Sequence, residues 1–227
     1  MEPSIAALVR DPALPDEHVV DRVLRGEIAL FEIIMRRYNQ RLFRVMRAIL
    51  RNDAETEDAL QQAYLSAYAH LNQFAGEARF ATWLTRIAIN EAYGRVRSAA
   101  RAAEHERRGE TEQMSQMQDK PPTPEDQAAA HEVTALIERA CDALPEIYRV
   151  VFVLREIEGL STAETGAAIG LSQDAVKVRL HRARAMLREQ LAEPIAGQVS
   201  DAFHFAGTRC DRVVAAVLAR IGPSSGR

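Results

Sequence analysis

The stretch from Leu160 to Leu191 constrains the fold more than any other part of the chain, because it predicts two helices separated by a glycine. Ser161 and Glu164 are spaced as a capping box, in which each side chain satisfies an unpaired backbone amide of the other residue. Gly170 permits the left-handed backbone that ends many helices. Ser172 is a typical residue to cap the helix that follows. The pattern predicts a helix-turn-helix.

The second of these helices has two contrasting faces. Val176, Leu180, Ala183 and Leu187 recur at helical spacing and predict a buried stripe. The other side carries cations, and no acid interrupts them between Asp174 and Glu189. A cationic second helix is typical of a major-groove reader. The residues expected to face DNA are Ser172, Gln173, Asp174, Lys177, Val178, Arg179, His181, Arg182 and Arg184. A helical hairpin with a solvated basic face is the alternative, and this stretch alone leaves both open.

Composition limits the kind of partner that the chain can bind. Its formal net charge is only -3, so affinity for nucleic acid must come from local patches or from a second protein. Cys141 and Cys210 are too few for a disulfide framework, which favours a reducing cytoplasmic location. The N-terminus lacks a secretory signal pattern and no apolar run approaches membrane length, so we expect no membrane insertion.

Hydrophobic periodicity predicts an all-α protein made of two small helical bundles joined by a flexible linker. Proline-rich residues 1–15 are expected to form a flexible tail, and residues 16–101 the first bundle. The charged, proline-broken stretch 102–127 cannot bury enough apolar surface to order itself and is the predicted linker. Residues 128–192 form the second bundle, which contains the helix-turn-helix. Residues 193–227 are an extension with one amphipathic helix, from about Thr208 to Ile221.

No constellation of residues points to catalysis, and we predict no enzyme activity, no cofactor and no metal site. The acids Asp53, Glu55, Glu57 and Asp58 cluster at a helix start, where the helix dipole explains them without chemistry. His204 and Cys210 could begin a zinc site, but no second pair stands at ligand spacing. The sequence contains no phosphate-binding loop and no nucleophile elbow.

Aromatic residues flank a polar loop between the second and third long helices. Trp83 is expected in the core, and Phe74, Phe80 and Tyr93 are expected to surround the loop with it. Loops of this kind hold unpaired bases by stacking and polar contacts. Asn72, Gln73 and Arg79 are the candidates for such contacts.

Three motifs in order resemble those of the extracytoplasmic-function (ECF) group of bacterial sigma-70-type sigma factors. DAETEDALQQAY (Asp53 to Tyr64) is similar to the helix that docks on RNA polymerase in that family. FATWLTRIAINEAYGRVR (Phe80 to Arg97) is similar to its promoter-melting helix. The segment from Leu144 to Leu191 is similar to its C-terminal DNA-binding domain. The resemblance spans roughly residues 16 to 192, which would make 16–101 sigma region 2 and 128–192 sigma region 4.

The resemblance implies a transcription initiation factor for stress-responsive promoters, with core RNA polymerase, promoter DNA and an anti-sigma factor as partners. The first helix motif would dock on the coiled coil of the largest polymerase subunit, and region 4 would lie near the polymerase flap. The implied docking residues are Asp53, Glu57, Asp58, Gln61 and Gln62. The residues implied in −10 recognition and melting are Asn72, Gln73, Phe74, Arg79, Asn90, Arg95 and Arg97. The helix after Ser172 would read the −35 element.

Two positions depart from the family pattern. Where this chain has Gln62 the family commonly has an acid, and where it has Val178 the family commonly has a small hydroxyl residue. Docking near Gln62 would therefore depend more on Asp58. An exposed valine cannot hydrogen-bond a base, but it can contact a thymine methyl group.

Other interpretations remain open from the sequence. One is a free-standing two-domain regulator, and another is a protein that binds polymerase without promoter DNA. The arginine-rich side of the helix at Glu27 to Arg51 is expected to face polymerase or DNA. For the helix at Thr208 to Ile221, we expect cover for the C-terminal bundle, with a partner helix or a redox role for Cys210 as alternatives.

Overall fold

The computed structural model describes Leu8 and residues 14–76, 78–109, 128–190 and 208–221. Every element in these ranges is helical, which confirms the predicted all-α class. No helix among them combines the length and the apolar character needed to cross a bilayer.

Within residues 16–109, the described part of the N-terminal bundle contains four α-helices and two short 3-10 turns. They are α1 (Asp16–Leu24), a 3-10 turn (Ile28–Leu30), α2 (Phe31–Leu50), α3 (Asp53–Ala69), a 3-10 turn (Leu71–Gln73) and α4 (Phe80–Gly109). Helices α2, α3 and α4 pack against one another. Phe31 and Tyr64 are fully buried where α2 meets α3, with ring centroids 6.2 Å apart and nearly perpendicular planes.

Asp16 and Asn52 are the residues that the sequence predicts as caps of α1 and α3, and the structure confirms Asn52 only. Arg51 adopts a left-handed backbone with φ 60° and ends α2, and the Asn52 side chain accepts a hydrogen bond of 2.8 Å from the Glu55 amide at the start of α3. Asp16 does not cap α1, because it is itself the first helical residue. Its carboxylate instead accepts hydrogen bonds from Arg37 and Tyr38 of α2.

Helix α4 continues beyond its predicted end at Arg101 to Gly109. Ala102, Ala103 and Glu104 are strong helix formers, and this local preference extends the helix into the charged stretch. The remainder of the predicted linker, residues 110–127, lies outside the described residues. So do the predicted N-terminal tail other than Leu8, Leu14 and Pro15, and residues 193–207 and 222–227 of the extension.

The C-terminal bundle contains α5 (Ala128–Ala143), α6 (Glu146–Phe152), a π-helical turn (Val153–Ile157), α7 (Thr162–Ile169) and α8 (Gln173–Gln190). Its own core is formed mainly by α5, α6 and α8, with Cys141, Val151, Val176 and Ala183 fully buried.

Helix α6 and its π-helical turn lie between the two bundles. Val150, Val153 and Leu154 belong to the core of the N-terminal bundle, whereas Val151 and Phe152 belong to the core of the C-terminal one. A helix that is apolar on all sides is expected to be buried on all sides. The continuous apolar run in this segment therefore has a structural explanation.

The last helix, α9 (Thr208–Ile221), has the predicted bounds, but it does not cover the C-terminal bundle as predicted. It packs on α2 and α3, and Val213, Val214 and Val217 are buried in the N-terminal core. An amphipathic stripe determines that a helix is buried but not which neighbour buries it, and here the acids of α3 complement the arginines of α9.

Candidate nucleic-acid and polymerase interfaces

The helix-turn-helix is held by the local interactions that the sequence predicts. The Ser161 amide donates to Glu164 Oε2 at 2.9 Å, and the Glu164 amide donates to Ser161 Oγ at 3.1 Å, which completes a capping box. The hydrogen bonds from Ser161 lower the pKa of the Glu164 carboxyl. Gly170 is left-handed at φ 69°, and Ser172 Oγ accepts a bond of 3.2 Å from the Ala175 amide.

Gly166 is a further determinant of this turn that is not among the residues predicted from the sequence. A Cβ at this position would lie 2.5 Å from the carbonyl oxygen of Leu171. The Leu171 amide donates to the Gly166 oxygen at 2.9 Å, so the chain passes directly over the glycine after the turn. A glycine four residues before Gly170, at the expected packing face of α7, is the only signal in the sequence.

Helix α8 separates its two faces as predicted. Val176, Leu180, Ala183 and Leu187 are buried, whereas Gln173, Asp174, Lys177, Val178, His181 and Arg182 are exposed. Ser172 and Arg184 are also exposed, and Arg179 is half-buried. Val178 has 52% of its surface exposed, so an apolar side chain stands in the middle of a cationic face.

Three cations of α8 have partners that hold them along the helix surface. Lys177 pairs with Asp174 at 3.1 Å, and Arg184 pairs with Glu156 at 2.8 Å. Arg182 donates to the Tyr148 hydroxyl at 3.2 Å. These contacts are surface contacts, which are worth about 0–1 kcal/mol each, so phosphate groups can compete with them.

The loop before α4 exposes three of the four predicted base contacts. Asn72, Gln73 and Arg79 are exposed. Phe74 is half-buried, and its ring packs 5.2 Å from that of Phe80 and 5.6 Å from that of Trp83. Trp83 is partly buried against the N-terminal core, as predicted. The aromatic group therefore supports the loop from below while the polar side chains face outward.

Tyr93 does not belong to this aromatic group, so its predicted place around the loop is wrong. It lies nearly four turns along α4 from the loop, beside Glu146 of the C-terminal bundle. Burial, and then the neighbouring Glu146 carboxylate, raise the pKa of the Tyr93 phenol to about 12, while Arg179 acts in the opposite direction.

The polar side of α4 carries the remaining predicted residues. Asn90 and Arg97 are exposed two turns apart, and Arg95 is half-buried and pairs with Glu91 at 3.3 Å. Arg86 is also exposed, one turn before Asn90. Arg86 is not among the residues predicted for −10 recognition and melting, although its spacing of four from Asn90 places it on the same face of the helix.

The predicted docking residues of α3 fall into two groups. Asp58 and Gln62 are exposed and Gln61 is half-buried. Asp53 and Glu57 are engaged by the chain itself. Arg209 of α9 binds Asp53 Oδ2 at 3.0 Å and Glu57 Oε1 at 2.7 Å, and Arg212 binds Glu57 Oε2 at 2.7 Å.

The arginines of α2 bind other parts of the chain rather than presenting the predicted partner surface. Arg41 and Arg44 approach the Glu158 carboxylate at 3.3 and 3.4 Å, and Arg47 binds Asp142 at 2.9 Å. On the same helix Arg36 pairs with Asp211 of α9 at 2.8 Å. Long arginine side chains find the nearest carboxylate in three dimensions, which periodicity alone does not reveal.

Arg149 is the most buried cation of the contact between the bundles, with 3% of its surface exposed. Its guanidinium donates to the carbonyl oxygen of Ala48 at 2.5 Å, of Asp142 at 3.0 Å and of Leu144 at 2.8 Å. Burial lowers its pKa from the usual arginine value. The sequence placed this residue on no interface, because a single arginine in an apolar helix gives no local signal.

Within the described residues, no group of three or more histidine, cysteine or acidic side chains could hold a metal ion. His204, one half of the zinc pair considered above, lies outside them. Cys210 instead accepts a hydrogen bond from Asn39 Nδ2 at 2.9 Å.

Two protein-family models match the chain, one in each bundle. Residues 34–102 match Sigma-70 region 2, and residues 134–187 match Sigma-70 region 4. The first range contains the exposed loop and most of α4, and the second contains the helix-turn-helix.

A full-length relative decides the subgroup. The ECF RNA polymerase sigma factor SigW of Bacillus subtilis (strain 168) is 33% identical over 181 residues, which cover 77% of this chain and 95% of SigW. The chain belongs to the ECF sigma factors. The ECF RNA polymerase sigma-E factor of Escherichia coli (strain K12) is 29% identical to this sigma factor over 182 residues, 75% of this chain and 91% of that protein.

Solved structures agree with the fold of this sigma factor. CnrH in complex with the cytosolic domain of CnrY gives a TM-score of 0.55 at 24% identity, over 78% of this chain and 97% of CnrH. The sigma factor RpoE in complex with the anti-sigma factor NepR from Bartonella quintana gives a TM-score of 0.52 at 22% identity. The match covers 66% of this chain and 89% of RpoE.

Family membership answers the question of function class. A sigma factor directs transcription initiation and is not an enzyme, and this chain is a sigma factor of the ECF type. The free-standing regulator and the polymerase-binding protein without promoter recognition are therefore set aside.

Proposed function

We propose that this sigma factor binds core RNA polymerase through α3, reads the −35 element with α8, and captures and melts the −10 element with the loop at 72–79 and the polar side of α4. The single observation that carries the proposal is the cationic face of α8, which is exposed on a helix-turn-helix with both of its helices capped. Rigid, exposed donors on a recognition helix are what major-groove reading requires.

The −35 assignment rests on the chemistry of the exposed residues of α8. Lys177, Arg179, Arg182 and Arg184 supply charge for phosphate contacts, which position a protein on the duplex. Gln173 and His181 supply hydrogen-bonding groups for base edges, and Val178 supplies an apolar contact for a thymine methyl group. Ser172 and Asp174 lie at the N-terminus of the helix, the end that enters the groove in this motif.

The −10 assignment rests on the contrast between a polar loop and its aromatic support. Asn72, Gln73 and Arg79 are exposed above the packed rings of Phe74, Phe80 and Trp83. This arrangement suits an extruded base, because polar groups bind its edge while the support fixes their positions. We assign Phe74 chiefly to that support. Asn90, Arg95 and Arg97 continue the polar track for the opened strand.

The polymerase assignment rests on the acids at the start of α3. Asp53, Glu57 and Asp58 suit a basic partner surface, and Gln61 and Gln62 add neutral hydrogen-bonding groups on the next turn. We assign the coiled coil of the largest polymerase subunit to this face and the polymerase flap to region 4.

We also propose an anti-sigma factor as a partner. Both structural neighbours named above were solved in complexes, one with an anti-sigma factor and one with the cytosolic domain of CnrY. The two bundles contact each other through Arg149 and through the ion pairs of Glu158 with Arg41 and Arg44. This contact supports a form with the bundles together, which such a partner can stabilise.

Run-off transcription with purified core polymerase and a promoter library tests the function as a whole. The wild-type protein is expected to produce transcripts from a subset of promoters that share −35 and −10 sequences. Binding to core enzyme without any promoter-dependent transcript would contradict the proposal.

Charge reversal separates the docking helix from the DNA-binding residues. Asp58→Arg is expected to weaken binding to core polymerase by about tenfold or more, since it places a cation against a basic surface. Glu17→Arg, at an exposed acid of α1, is the matched control and should leave the Kd unchanged. Equal binding by wild type and Asp58→Arg would remove α3 as the docking helix.

A further inference from the structure

Helix α9 occupies the side of α3 that carries two of the five proposed docking residues. Arg209 and Arg212 together bind both oxygens of the Glu57 carboxylate and one oxygen of Asp53. The Glu57 side chain is only 14% exposed as a result. A protein that binds Glu57 must therefore first move these arginines.

Apolar packing holds α9 in place beneath these ion pairs. Val213 and Val217 are fully buried and Val214 is 3% exposed, all within the core of the N-terminal bundle. The guanidinium of Arg209 lies 4.6 Å from the centroid of the Phe43 ring on α2. A fourth ion pair, between Asp211 and Arg36 of α2 at 2.8 Å, lies on the other flank of the helix.

The charges of α9 are explained by the acids of α3 rather than by its own helix. Arg209 and Arg212 lie in its first turns, where the positive end of the helix dipole disfavours cations. Their binding to Asp53 and Glu57 offsets that disadvantage. The first turns of α9 thus present a basic helical surface to α3, the kind of surface that we assign to the polymerase.

We propose that α9 is an internal competitor for the polymerase-docking face, so that α9 must shift away from Asp53 and Glu57 before they can bind RNA polymerase. This inference rests on the proposed docking role of α3. Asp58 and Gln62 remain exposed on the same helix, so a first contact with polymerase can form while α9 is still bound.

The connection of α9 to the same chain makes such competition effective. A segment tethered to its binding site has an effective concentration in the millimolar range. A polymerase at micromolar concentration then competes against a large excess of α9, even when the affinity of α9 for α3 is modest. Docking becomes weaker than the α3 surface alone would give, and any event that removes α9 strengthens it.

Charge reversal on α9 tests the competition in the full-length protein. The variant Arg209→Glu/Arg212→Glu places acids against Asp53 and Glu57 and favours release of α9. We expect the Kd for purified core polymerase to fall by about tenfold, as measured by fluorescence anisotropy at fixed ionic strength. Arg220→Glu, an exposed change in the last turn of the same helix, is the matched control and should leave the Kd unchanged.

The outcomes distinguish this inference from the docking assignment itself. If Asp58→Arg weakens binding but Arg209→Glu/Arg212→Glu leaves it equal or weaker, α3 is the docking helix and α9 does not compete. If neither variant changes the Kd, the docking assignment is wrong. Circular dichroism and urea unfolding of each variant show whether the fold is retained.

A reversible cross-link gives a second test that depends on the native Cys210. The side chain of Asn39 on α2 touches the Cys210 sulfur, with Nδ2 and Sγ 2.9 Å apart. Asn39→Cys would place a second thiol near Cys210, and oxidation of the pair to a disulfide would lock α9 on the bundle. We expect the oxidised protein to bind polymerase at least tenfold more weakly than the same protein after reduction.

Asn39→Ser under the same oxidation is the control and should respond to neither treatment. Equal binding by the locked and reduced forms would overturn the inference, because α9 would then be compatible with docking. Thiol titration gives the cross-linked fraction, and binding is compared between that fraction and the same fraction after reduction.

Discussion

The two bundles differ in how much of their structure each supplies for itself. The N-terminal bundle packs three long helices around one core and is closed further by α9. The segment of α6 and its π-helical turn is shared between the bundles. Val150, Val153 and Leu154 are buried in the N-terminal core, although the segment belongs to the C-terminal bundle. Separation of the bundles would expose this apolar side of α6. The N-terminal bundle is therefore the platform, and the position of the C-terminal bundle depends on it.

Helices α3 and α8, the proposed partner-binding helices, differ in how exposed their charged side chains are. The acids of α3 in the platform are partly occupied by arginines of the same chain, whereas the cationic face of α8 in the dependent bundle is exposed. The chain thus limits access to its proposed polymerase surface by a direct contact. It leaves the cationic face of α8 accessible, although the position of the domain that carries α8 depends on the N-terminal bundle.

The largest effect on this difference is expected from Arg149→Met. The change removes the Arg149 donor from two buried carbonyl oxygens, at Ala48 and Leu144, and from the partly buried one at Asp142, and should lower the free energy of unfolding by about 3 kcal/mol. Urea denaturation measures the loss, and hydrogen exchange should locate it mainly in the C-terminal bundle. Arg188→Met, at an exposed position of α8, is the control and should stay within about 0.5 kcal/mol of wild type. Equal losses of exchange protection in both bundles would contradict a self-sufficient platform.

The next largest effect is expected on DNA binding, from changes on α8 that leave the free energy of unfolding unchanged. Lys177→Ala/Arg179→Ala should weaken holoenzyme binding to a −35 duplex by about 10- to 100-fold and reduce the salt slope by about 2, one for each lost phosphate contact. Filter binding over a range of salt concentrations measures both quantities. Arg25→Ala, at the exposed residue that follows the last turn of α1, is the control and should change neither quantity. An unaltered salt slope would mean that α8 does not bind the backbone.

A smaller effect is expected at the polar contact between the bundles. Glu158 has a side chain that is 7% exposed and faces Arg41 and Arg44, so Glu158→Gln leaves two cations without their carboxylate. We expect the contact to weaken by about 1 kcal/mol, with a larger radius of gyration in solution scattering. Glu156→Gln, which removes only the surface pair with Arg184, should leave the radius unchanged. No difference between the two variants would show that α6 packing alone fixes the domains.

The smallest effect concerns alkaline pH and Tyr93. Its pKa is about 12 in the folded protein against an ordinary value of 10.0, so the unfolded chain loses the phenolic proton first as pH rises. Stability from this group is complete below pH 10 and is lost between pH 10 and 12. Because Tyr93 is partly exposed, we expect about 1 kcal/mol or less. Tyr93→Phe should flatten the fall in stability over this range, and an identical slope would exclude the interpretation.

Local interactions are the part of the molecule that the sequence predicted well. The capping box of Ser161 and Glu164, the left-handed Gly170 and the cap at Ser172 all involve residues within a few positions of one another. The buried stripe of α8 and the bounds of α9 follow from helical periodicity in the same way. Gly166 escaped notice because its role depends on where the chain passes after the turn.

Contacts between distant segments were the part that the sequence did not determine. The positions of Tyr93 and of the arginines of α2 were wrong or unassigned, since a charged or aromatic side chain chooses its neighbours only after the helices have packed. The same reason explains α9. Its stripe of Val213, Val214 and Val217 predicted that one face of the helix is buried. Only the tertiary structure shows that the neighbour is α3, where Arg209 and Arg212 bind Asp53 and Glu57. The sequence by itself therefore determined the helices and the family, and tertiary packing decided which of their surfaces the chain leaves open.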